Sequence, residues 1–379
     1  MCSIADLGRD RQTSPWPGGS APVAHLRATI VPTIEAVEMV NLEEYFENRE
    51  GFAQLRPGGQ YRRRPAELVN PSLTKPFFVR QYGKRVVSQV MPAEGVARFE
   101  GATVMRGSEI VLDDGRLVFE SVEKPQHALP AHVLNRSPQV PRGLDRAILV
   151  AKPGSRNYGH FLVEMLPRLV LNRAALPDDA PILLRETSRP FAGPMLEHVG
   201  FDQGRIEWVD KAPIRVGELH WPTRNTFHPW EHSPHIFSVF RNLREHSGRT
   251  NSSRRLFVGR GDATMRKLVN EDAVFAFLEP LGFERIMPGR MPFAEQIAAF
   301  AEASLVVGVC GAAMTNLVFM PERGKVVLLA PHPMNGWFYW DLATQSQIDI
   351  SVVWGRAFGE SPDKDADFEI DVRAIPHLG

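Results

Sequence analysis

The sequence predicts an α/β protein made of two Rossmann-like halves that join near residue 250. Short apolar runs typical of strands alternate with segments of helical periodicity, most clearly after residue 255 and more roughly from residue 147. Parallel strands need crossover helices, so this alternation indicates parallel sheets that are covered on both faces. The chain has 379 residues and 43% hydrophobic content, which is enough for two cores of ordinary size.

The second half carries the clearest alternation. Asn270 is a suitable N-cap for a first helix, which Gly282 ends in the manner of a C-cap. An apolar stripe predicts a second helix at 293–301, and a third is expected at 312–320, before Pro321. The predicted strands of this half are 255–258, 283–287, 305–309 and 325–329.

The first half is less regular. The polar stretch 247–253 is expected to link the two halves, and the aromatic segments 221–235 and 337–340 are interpreted as loops. The predicted strands of the first half are 147–150, 182–184 and 206–209, and its predicted helices are 158–174, 194–199 and 235–246.

We expect three regions along the chain. Residues 1–30 form a flexible tail, residues 31–250 hold a small β-rich N-terminal element and the first Rossmann-like domain, and residues 251–379 hold the second. Asp113 and Gly115 belong to a hairpin turn within the N-terminal element. The strand-like runs of that element are 86–90, 101–104, 110–112 and 117–119.

The composition excludes several classes of protein. Lys plus Arg and Asp plus Glu are both 44, so the net charge gives no reason to expect a nucleic-acid partner. Two cysteines exclude a disulfide framework, and the first 30 residues lack the apolar core of a signal peptide. The uncharged stretch 303–320 contains glycines and polar residues, which fit a strand, turn and helix better than a membrane span. We therefore expect a cytoplasmic protein without a transmembrane segment.

Residues 308–316 read Gly-Val-Cys-Gly-Ala-Ala-Met-Thr-Asn, a turn of small residues between a predicted strand and a predicted helix. Backbone N–H groups at such a turn and the positive end of the helix dipole favour an anion. Close backbone packing is the alternative interpretation, because the segment lacks the GxGxxG and GK[ST] motifs. The missing GxGxxG also disfavours a dinucleotide oxidoreductase.

His160 and Glu164 lie four residues apart on a predicted helix, so they share one face. Three interpretations are open: half of a metal site, a structural hydrogen bond, or general-base catalysis. No further ligand follows at metal-binding spacing, and no Asp-x-Asp ends a predicted strand, so we expect no metal. As a base, either His160 or Glu164 would take a proton from a hydroxyl group.

Arg260 and Arg266 follow the end of a predicted strand, and Asn270 and Glu271 come shortly after them. Arginines in a crevice at that position could stabilise the charge of a departing diphosphate without a metal. The alternative is that they form salt bridges with Glu271 or Asp262.

The segment around His160 and Glu164, the segment 260–271 and the turn at 308–316 follow one another in this order along the chain. With Gln296 added, they resemble glycosyltransferase family 61 over roughly residues 147–331. The resemblance implies the GT-B architecture, in which the ligand lies in a cleft between two Rossmann-like domains. It also implies an inverting glycosyltransferase of polysaccharide or capsule biosynthesis, which moves a sugar from a nucleotide sugar to an acceptor hydroxyl. The residues of the first signature are Asn157, Gly159, His160, Glu164, Pro167 and Arg168.

The resemblance and the residue chemistry together give three sets of site residues. We expect a UDP-sugar as donor, a glycan or polysaccharide as acceptor, and no cofactor. A lipid-linked acceptor would bring the protein to a membrane surface. The predicted catalytic residues are His160 and Glu164; the donor-binding residues are Arg260, Arg266, Asn270, Glu271, Cys310, Gly311, Ala312, Thr315 and Asn316; the acceptor-binding residues are Asn157, Trp230 and His232.

Cys310 departs from the family pattern, which usually has histidine before the Gly-Ala turn. The change removes a ring that could donate a hydrogen bond to a phosphate or a sugar. The alternative hypothesis is therefore a nucleotide-sugar-binding protein without catalytic activity.

Overall fold

The computed structural model describes residues 38–122, 142–227, 231–248, 253–261 and 263–376. Two sheets that contain parallel strands are packed against helices, which confirms the predicted α/β class. The predicted tail, residues 1–30, lies outside the described residues. The division into three regions and the GT-B arrangement stay predictions.

The strands of the described residues, in chain order, are β1 (Met39–Val40), β2 (Phe52–Arg56), β3 (Glu67–Val69), β4 (Glu94–Met105), β5 (Glu109–Leu112), β6 (Leu117–Val118), β7 (Gly143–Leu149), β8 (Ile182–Arg185), β9 (Ile206–Val209), β10 (Ile214–Pro222), β11 (Thr226–Phe227), β12 (Glu231–His232), β13 (Arg254–Val258), β14 (Phe283–Ile286), β15 (Ala303–Val309), β16 (Lys325–Pro331), β17 (Asp349–Ala357) and β18 (Phe368–Glu369). The α-helices are α1 (Leu42–Phe46), α2 (Pro76–Lys84), α3 (Tyr158–His160), α4 (Leu166–Asn172), α5 (Arg189–His198), α6 (Ile236–His246), α7 (Glu271–Leu278), α8 (Phe293–Ala301) and α9 (Trp337–Gln345).

The first sheet has the order β1-β6-β5-β4-β10-β7-β8-β9, with β2 paired to β4. Strands β10, β7, β8 and β9 are parallel to one another, whereas β4 is antiparallel to β10. The N-terminal strands thus extend the sheet of the first half through the β4–β10 pair. The predicted strand at 86–90 is wrong, because Val87 makes only an isolated bridge to Arg62.

The second sheet has the order β14-β13-β15-β16-β17-β18, and β3 also pairs with β17. The consecutive strands β13 to β17 are parallel, so the winding direction of the chain reverses between β13 and β15. Open parallel sheets bind ligands at the carboxyl ends of the strands beside such a reversal. By that rule, the residues after Val258 and Val309 lie where a ligand would bind.

The predicted helix at 158–174 is helical but not uniformly α. A π-helical turn, Phe161–Met165, separates α3 from α4. Pro167 lies in the first turn of α4 and has no N–H to donate to the preceding turn, which interrupts the α pattern there. His160 and Glu164 therefore lie where α and π geometry meet.

The predicted helix at 312–320 is present as a 3-10 helix, Ala312–Phe319. Met314 N donates to Gly311 O at 2.9 Å, and the Thr315 hydroxyl donates to Ala312 O at 2.6 Å. In an α-helix the Ala312 carbonyl would accept the N–H of residue 316, so the hydroxyl competes with that bond.

The interpretation of both aromatic segments as loops is wrong in part. Trp221 lies in β10, and residues 337–340 open α9. Every residue of α9 from Trp337 to Thr344 is buried. A helix that is buried all round has no polar face, so its sequence lacks the periodicity by which a helix is recognised. The helix predicted at 194–199 is also longer, since α5 begins at Arg189.

One hydrophobic cluster lies between the two sheets and draws on both halves of the chain. Phe161 and Phe240 belong to it from the first half, and Leu256, Phe319 and Leu328 from the second. The opposite face of each sheet has a cluster of its own. The two halves therefore share a core in addition to the β3–β17 pair.

Candidate functional site

The first part of the site begins in the loop after β7. Asn157 is the N-cap of α3, and its Oδ1 accepts the N–H of Gly159 at 2.8 Å and of His160 at 3.3 Å. This predicted acceptor residue therefore fixes the start of the helix that carries His160.

A buried carboxylate holds the histidine ring. His160 Nδ1 lies 2.6 Å from Glu164 Oε1, and the Lys152 ammonium donates to Glu164 Oε2. The side chain of Glu164 is 0% exposed, against 22% for His160 and 12% for Lys152. The carboxylate fixes the ring orientation and leaves Nε2 on the far side of the ring from Glu164. Lys152 was missed by the sequence analysis, although its place after the predicted strand 147–150 is a signal for the carboxyl end of a strand.

Arg168, in α4, forms hydrogen bonds to the backbone at the carboxyl ends of two strands. Its Nε donates to Pro222 O at 2.8 Å and its Nη1 to Val150 O at 3.0 Å. Burial lowers the pKa of Arg168 to about 9, with a smaller contribution from the nearby Arg224 charge. Glu164 lies one helical turn before Arg168. The guanidinium thus fixes the carboxyl ends of β7 and β10 relative to Glu164.

The second part of the site lies at the winding reversal of the second sheet. Arg260 follows β13 and Gly311 follows β15, and the two meet so closely that a Cβ atom on Gly311 would overlap Arg260 Nη1. Gly311 has extended backbone geometry, so a Cβ atom here would not strain the backbone but would displace the Arg260 guanidinium. The Arg260 backbone N–H donates to Glu271 Oε2 at 2.8 Å, which orders the loop between β13 and α7.

Arg266 holds the Gly311 turn in place by hydrogen bonds to protein groups. Its Nη1 donates to Cys310 O at 2.9 Å, its Nη2 to Asp365 Oδ1 at 2.5 Å and its Nε to Lys364 O at 2.8 Å. All three guanidinium nitrogens therefore bind protein groups, and Asp365 compensates the charge.

Asn270 and Glu271 shape the backbone around Arg260. The Asn270 side chain exchanges two hydrogen bonds with the backbone of Ile370, at 2.7 Å and 3.2 Å. A Cβ atom on Gly259 would lie 2.8 Å from Glu271 Oε1, so the carboxylate packs directly on the loop. Both predicted donor residues thus position the loop by contacts within the protein.

Cys310, Thr315 and Asn316 lie beneath the surface of the turn. Burial raises the pKa of the Cys310 thiol, despite the nearby Arg266 charge. Asn316 accepts the Tyr158 hydroxyl at 2.6 Å and donates to Gln296 Oε1 at 2.8 Å. In the predicted donor set, Cys310, Gly311, Thr315 and Asn316 are buried, whereas the half-buried members are Arg260, Arg266, Asn270, Glu271 and Ala312.

The two parts of the site are in direct contact. A Cβ atom on Gly159 would lie 2.6 Å from Thr315 Cγ2, so the start of α3 packs on the 3-10 helix that follows Gly311. The Tyr158–Asn316 hydrogen bond crosses the same interface. The fold thus brings together signatures about 150 residues apart in the sequence, which sequence order alone does not place in contact.

Helix α9 lines the junction and was not predicted. The Tyr339 hydroxyl donates to Gly311 O at 2.9 Å. Phe338 lies between two histidines, with ring centroids 6.1 Å from His160 and 5.0 Å from His232. His232 is buried, and its Nδ1 lies 2.8 Å from Asp341 Oδ2. The third predicted acceptor residue, Trp230, lies outside the described residues.

The described residues contain no cluster of three or more His, Cys, Asp or Glu side chains that could hold a metal ion. Within the same residues, no helix has both the length and the apolar character needed to cross a membrane.

A comparison with models of protein families matches residues 158–327 to Glycosyltransferase 61. This range begins at α3 and ends in β16, so it covers His160, Arg260 and the Gly311 turn. No curated protein matches the chain. The match confirms the resemblance found in the sequence.

Proposed function

We propose, from the premise that residues 158–327 belong to the glycosyltransferase 61 family, that this protein is an inverting transferase acting on a nucleotide sugar. The family indicates a glycosyltransferase. The proposal adds the donor class, the stereochemical course and an acceptor hydroxyl on a glycan or polysaccharide. It also includes a GT-B type site between the halves, in cytoplasmic surroundings, with a lipid-linked acceptor as a route to a membrane surface.

One observation carries the proposal: the helix start that bears His160 packs on the turn formed by Gly311 and Arg260. Sugar transfer needs a base for the acceptor and a clamp for the leaving diphosphate, a few ångströms apart on opposite sides of the reacting carbon. The contact between Gly159 and Thr315 supports the proposal, because the residues that we propose for the two roles belong to adjoining elements.

Of the two candidate bases we favour His160. Glu164 is fully buried, and its two oxygens already bind Lys152 and His160. A carboxylate in that position stabilises an imidazolium and sets the ring tautomer, as in other carboxylate–histidine pairs. His160 Nε2 would then receive the proton, and Glu164 is a positioning residue.

The proposed reaction is a single displacement. The acceptor oxygen forms a bond to the anomeric carbon of the donor, and its proton passes to His160 Nε2. The bond between the anomeric carbon and the diphosphate oxygen breaks, and its electron pair leaves with the nucleoside diphosphate. The Arg260 guanidinium and backbone N–H groups at Gly311 and Ala312 would stabilise that charge without a metal.

This proposal divides the predicted donor set. Arg260, Gly311 and Ala312 would contact the diphosphate. The Arg260 side chain also binds protein, since its Nε donates to Met265 O at 3.3 Å, so we assign it to the diphosphate from its position against Gly311. The remaining members, Arg266, Asn270, Glu271, Cys310, Thr315 and Asn316, would hold the turn in place. Cys310 is buried beneath the turn, and no observation supports the alternative of a binding protein without catalysis.

The test is a transfer and hydrolysis assay of the full chain with a panel of UDP-, GDP- and dTDP-sugars, measuring release of the nucleoside diphosphate. Arg260→Ala should abolish most release, whereas Arg255→Ala should not. Arg255 is a suitable control because its Nη1 binds Leu281 O at the opposite end of β13. Wild-type protein that neither binds nor cleaves any nucleotide sugar would refute the proposal.

A further inference from the structure

Helix α2 presents apolar and basic side chains to solvent on one face. Phe77, Arg80 and Lys84 lie at positions i, i+3 and i+7 of the helix, which share a face, and all three are exposed. Leu73 and Lys75, just before the helix, are exposed as well. These five residues are called the α2 surface below.

The opposite face of α2 is packed against the start of α9. The Tyr82 ring lies 4.7 Å from the Trp340 ring, and the Phe78 ring lies 5.3 Å from the Trp337 ring, measured between centroids. Tyr82 is buried, and its hydroxyl donates to Asn335 O at 2.7 Å. The helix is therefore held in a fixed orientation, with the α2 surface as its free side.

The charge of the α2 surface is positive and uncompensated. Between Glu67 and Glu94 the sequence contains four basic residues and no Asp or Glu. Three of the basic residues, Lys75, Arg80 and Lys84, are exposed, and within the part of the chain that the structure describes none of them forms an ion pair. The whole chain has 44 basic and 44 acidic residues, so this charge is a local property.

The α2 surface lies at the same edge of the second sheet as the candidate site. The Thr74 hydroxyl donates to His332 O at 2.6 Å, and His332 directly follows β16. Because β13, β15 and β16 are parallel, the residues after them, Arg260, Gly311 and His332, lie at one edge. Helix α9, on which α2 packs, also contacts the Gly311 turn through the Tyr339 hydroxyl.

The combination of side chains fits the surface of an anionic bilayer. A single exposed apolar residue is ordinary, but Phe77 is 38% and Leu73 46% exposed beside three cations without partners. At a bilayer surface, apolar side chains enter the boundary between headgroups and acyl chains, and lysine and arginine lie at the level of the lipid phosphates. A soluble anion would use the cations alone and would leave the two apolar side chains in water.

We propose that the α2 surface binds anionic lipids, so that the protein attaches to a membrane through the edge that carries the candidate site. This inference goes beyond the proposed function, because lipid binding needs neither a nucleotide sugar nor transfer.

The first experiment is cosedimentation of the full chain with vesicles of phosphatidylcholine alone or mixed with phosphatidylglycerol. We expect binding to the mixed vesicles and little binding to the neutral ones. Arg80→Gln/Lys84→Gln should weaken binding to the mixed vesicles by about tenfold or more, since each basic residue near an anionic surface is worth about fivefold in affinity.

The control for charge is Arg241→Gln/Lys325→Gln, which removes the same charge at the opposite edge of the second sheet. Lys325 begins β16, and Arg241 Nη2 lies 3.9 Å from Glu322 Oε1, just before that strand. Charges more than a Debye length from the membrane are screened, so this variant should bind within about twofold of the wild type. Equal losses in the two double variants would show an effect of net charge and would overturn the proposal.

The second experiment tests the apolar contribution with two phenylalanines of equal exposure. Phe77 is 38% exposed, and Phe277, in α7 with Glu279 two residues later, is 40% exposed. Phe77→Ser should weaken vesicle binding by about threefold or more, because a ring that enters the bilayer is lost, whereas Phe277→Ser should not weaken it. Circular dichroism checks that each variant is folded, and the charge variants decide the question if Phe77→Ser is not.

Three outcomes would overturn the inference: no vesicle binding by the wild type, equal binding to neutral and anionic vesicles, or unchanged binding in the folded α2 variants. A wild-type dimer that dissociates in Phe77→Ser, without vesicle binding, would instead assign the surface to a second copy of the chain. The outcomes are separate from those of the proposed function. Sugar transfer by a protein that binds no vesicles would refute only this inference, and vesicle binding by a protein that neither binds nor cleaves a nucleotide sugar would refute only the function.

Discussion

Gly159 lies so close to Thr315 that a Cβ atom on the glycine would come within 2.6 Å of the threonine Cγ2. This contact joins the start of α3, which carries His160, to the 3-10 helix after Gly311. Neither side can move freely, because Thr315 is β-branched and its hydroxyl binds Ala312 O at 2.6 Å.

We therefore predict that Gly159→Ala lowers stability by about 1–3 kcal/mol, the usual effect of an added group in a packed interior, and lowers turnover as well. Thr315→Ser removes the clashing methyl group but keeps the hydroxyl, so adding it should restore much of both. Chemical denaturation and a transfer assay provide the two measurements.

The control for this prediction is Gly83→Ala. Gly83 lies in α2 with no atom within 4 Å of an added Cβ, so alanine there should be neutral or slightly stabilising. Equal effects of the Gly159 and Gly83 substitutions, or no recovery with Thr315→Ser, would show that the contact does not position the site.

The second prediction concerns the pair formed by Arg260 and Gly311. Arg260→Ala should weaken nucleoside diphosphate binding by roughly 1.5 to 3 kcal/mol, as expected for a lost charge-assisted hydrogen bond. Gly311→Ala should weaken it similarly, because the new Cβ would displace the guanidinium. The double variant should be no worse than the stronger single variant, since both changes remove one interaction.

Isothermal titration calorimetry with UDP, GDP and dTDP measures the affinities of the wild type, the two single variants and the double variant. Fully additive losses would separate the roles of the two residues, and unchanged affinity in both single variants would remove the turn from the donor site.

The third prediction is a pH dependence of stability. Burial raises the pKa of Glu120 above its ordinary value of 4.5, although Leu42 N donates to its Oε1 at 3.0 Å. The folded protein therefore binds this proton more tightly than the unfolded chain. The corresponding stability is complete below pH 4.5 and is lost as the pH rises through the raised pKa.

Glu120→Gln lacks this titration. Relative to the wild type, it should gain stability on the order of 1 kcal/mol between about pH 4 and pH 8, measured by denaturation at several pH values. Glu43→Gln, at an exposed position, is the control for removing a carboxylate that is not buried. A variant whose advantage is the same at every pH would show that Glu120 does not titrate in this way.

Much of the second half follows from its sequence. Strands β13 to β16 and helices α7 and α8 have apolar runs, an N-cap position at Asn270 and the left-handed Gly282 at the end of a helical turn, and these are local properties. Helix α9 could not be predicted, because a helix buried on all sides has no polar face. The strand β10 was missed for a different reason: its buried residues Ile214, Val216, Leu219 and Trp221 alternate with less buried ones, but the alternation shifts by one residue at Gly217 and Glu218, which breaks the period of two.

The candidate site likewise contains residues that could be predicted from the sequence and residues that could not. His160, Glu164 and Arg260 could be proposed from residue chemistry and spacing together with the family resemblance. Phe338 and Asp341 could not, because their relevance depends on contacts between distant segments, and Lys152 had only its place after a predicted strand as a signal. The sequence also did not separate the residues that we propose to face the ligand from those that we propose to support them. Arg260 and Arg266 have the same side chain, and only the structure shows that the Arg260 guanidinium lies against Gly311 whereas Arg266 binds Cys310 O and Asp365.

The last prediction assigns the proton. If His160 is the base, His160→Ala should lower turnover by roughly a hundredfold to ten-thousandfold, with nucleotide affinity little changed. Glu164→Gln and Lys152→Met should lower turnover less than His160→Ala, because each would misorient or unbalance the ring without removing it.

His220→Ala is the matched control, since His220 Nε2 also lies 2.7 Å from a carboxylate, Glu218 Oε1, but in β10 away from the turn. It should keep near-normal turnover. The ranking of the variants decides between the two candidates: a larger loss in Glu164→Gln than in His160→Ala, with both proteins folded, would make Glu164 the base. Near-normal transfer in both would make the pair structural, and the base would then be sought at His232, whose Asp341 contact gives it the same carboxylate-backed arrangement beside Phe338.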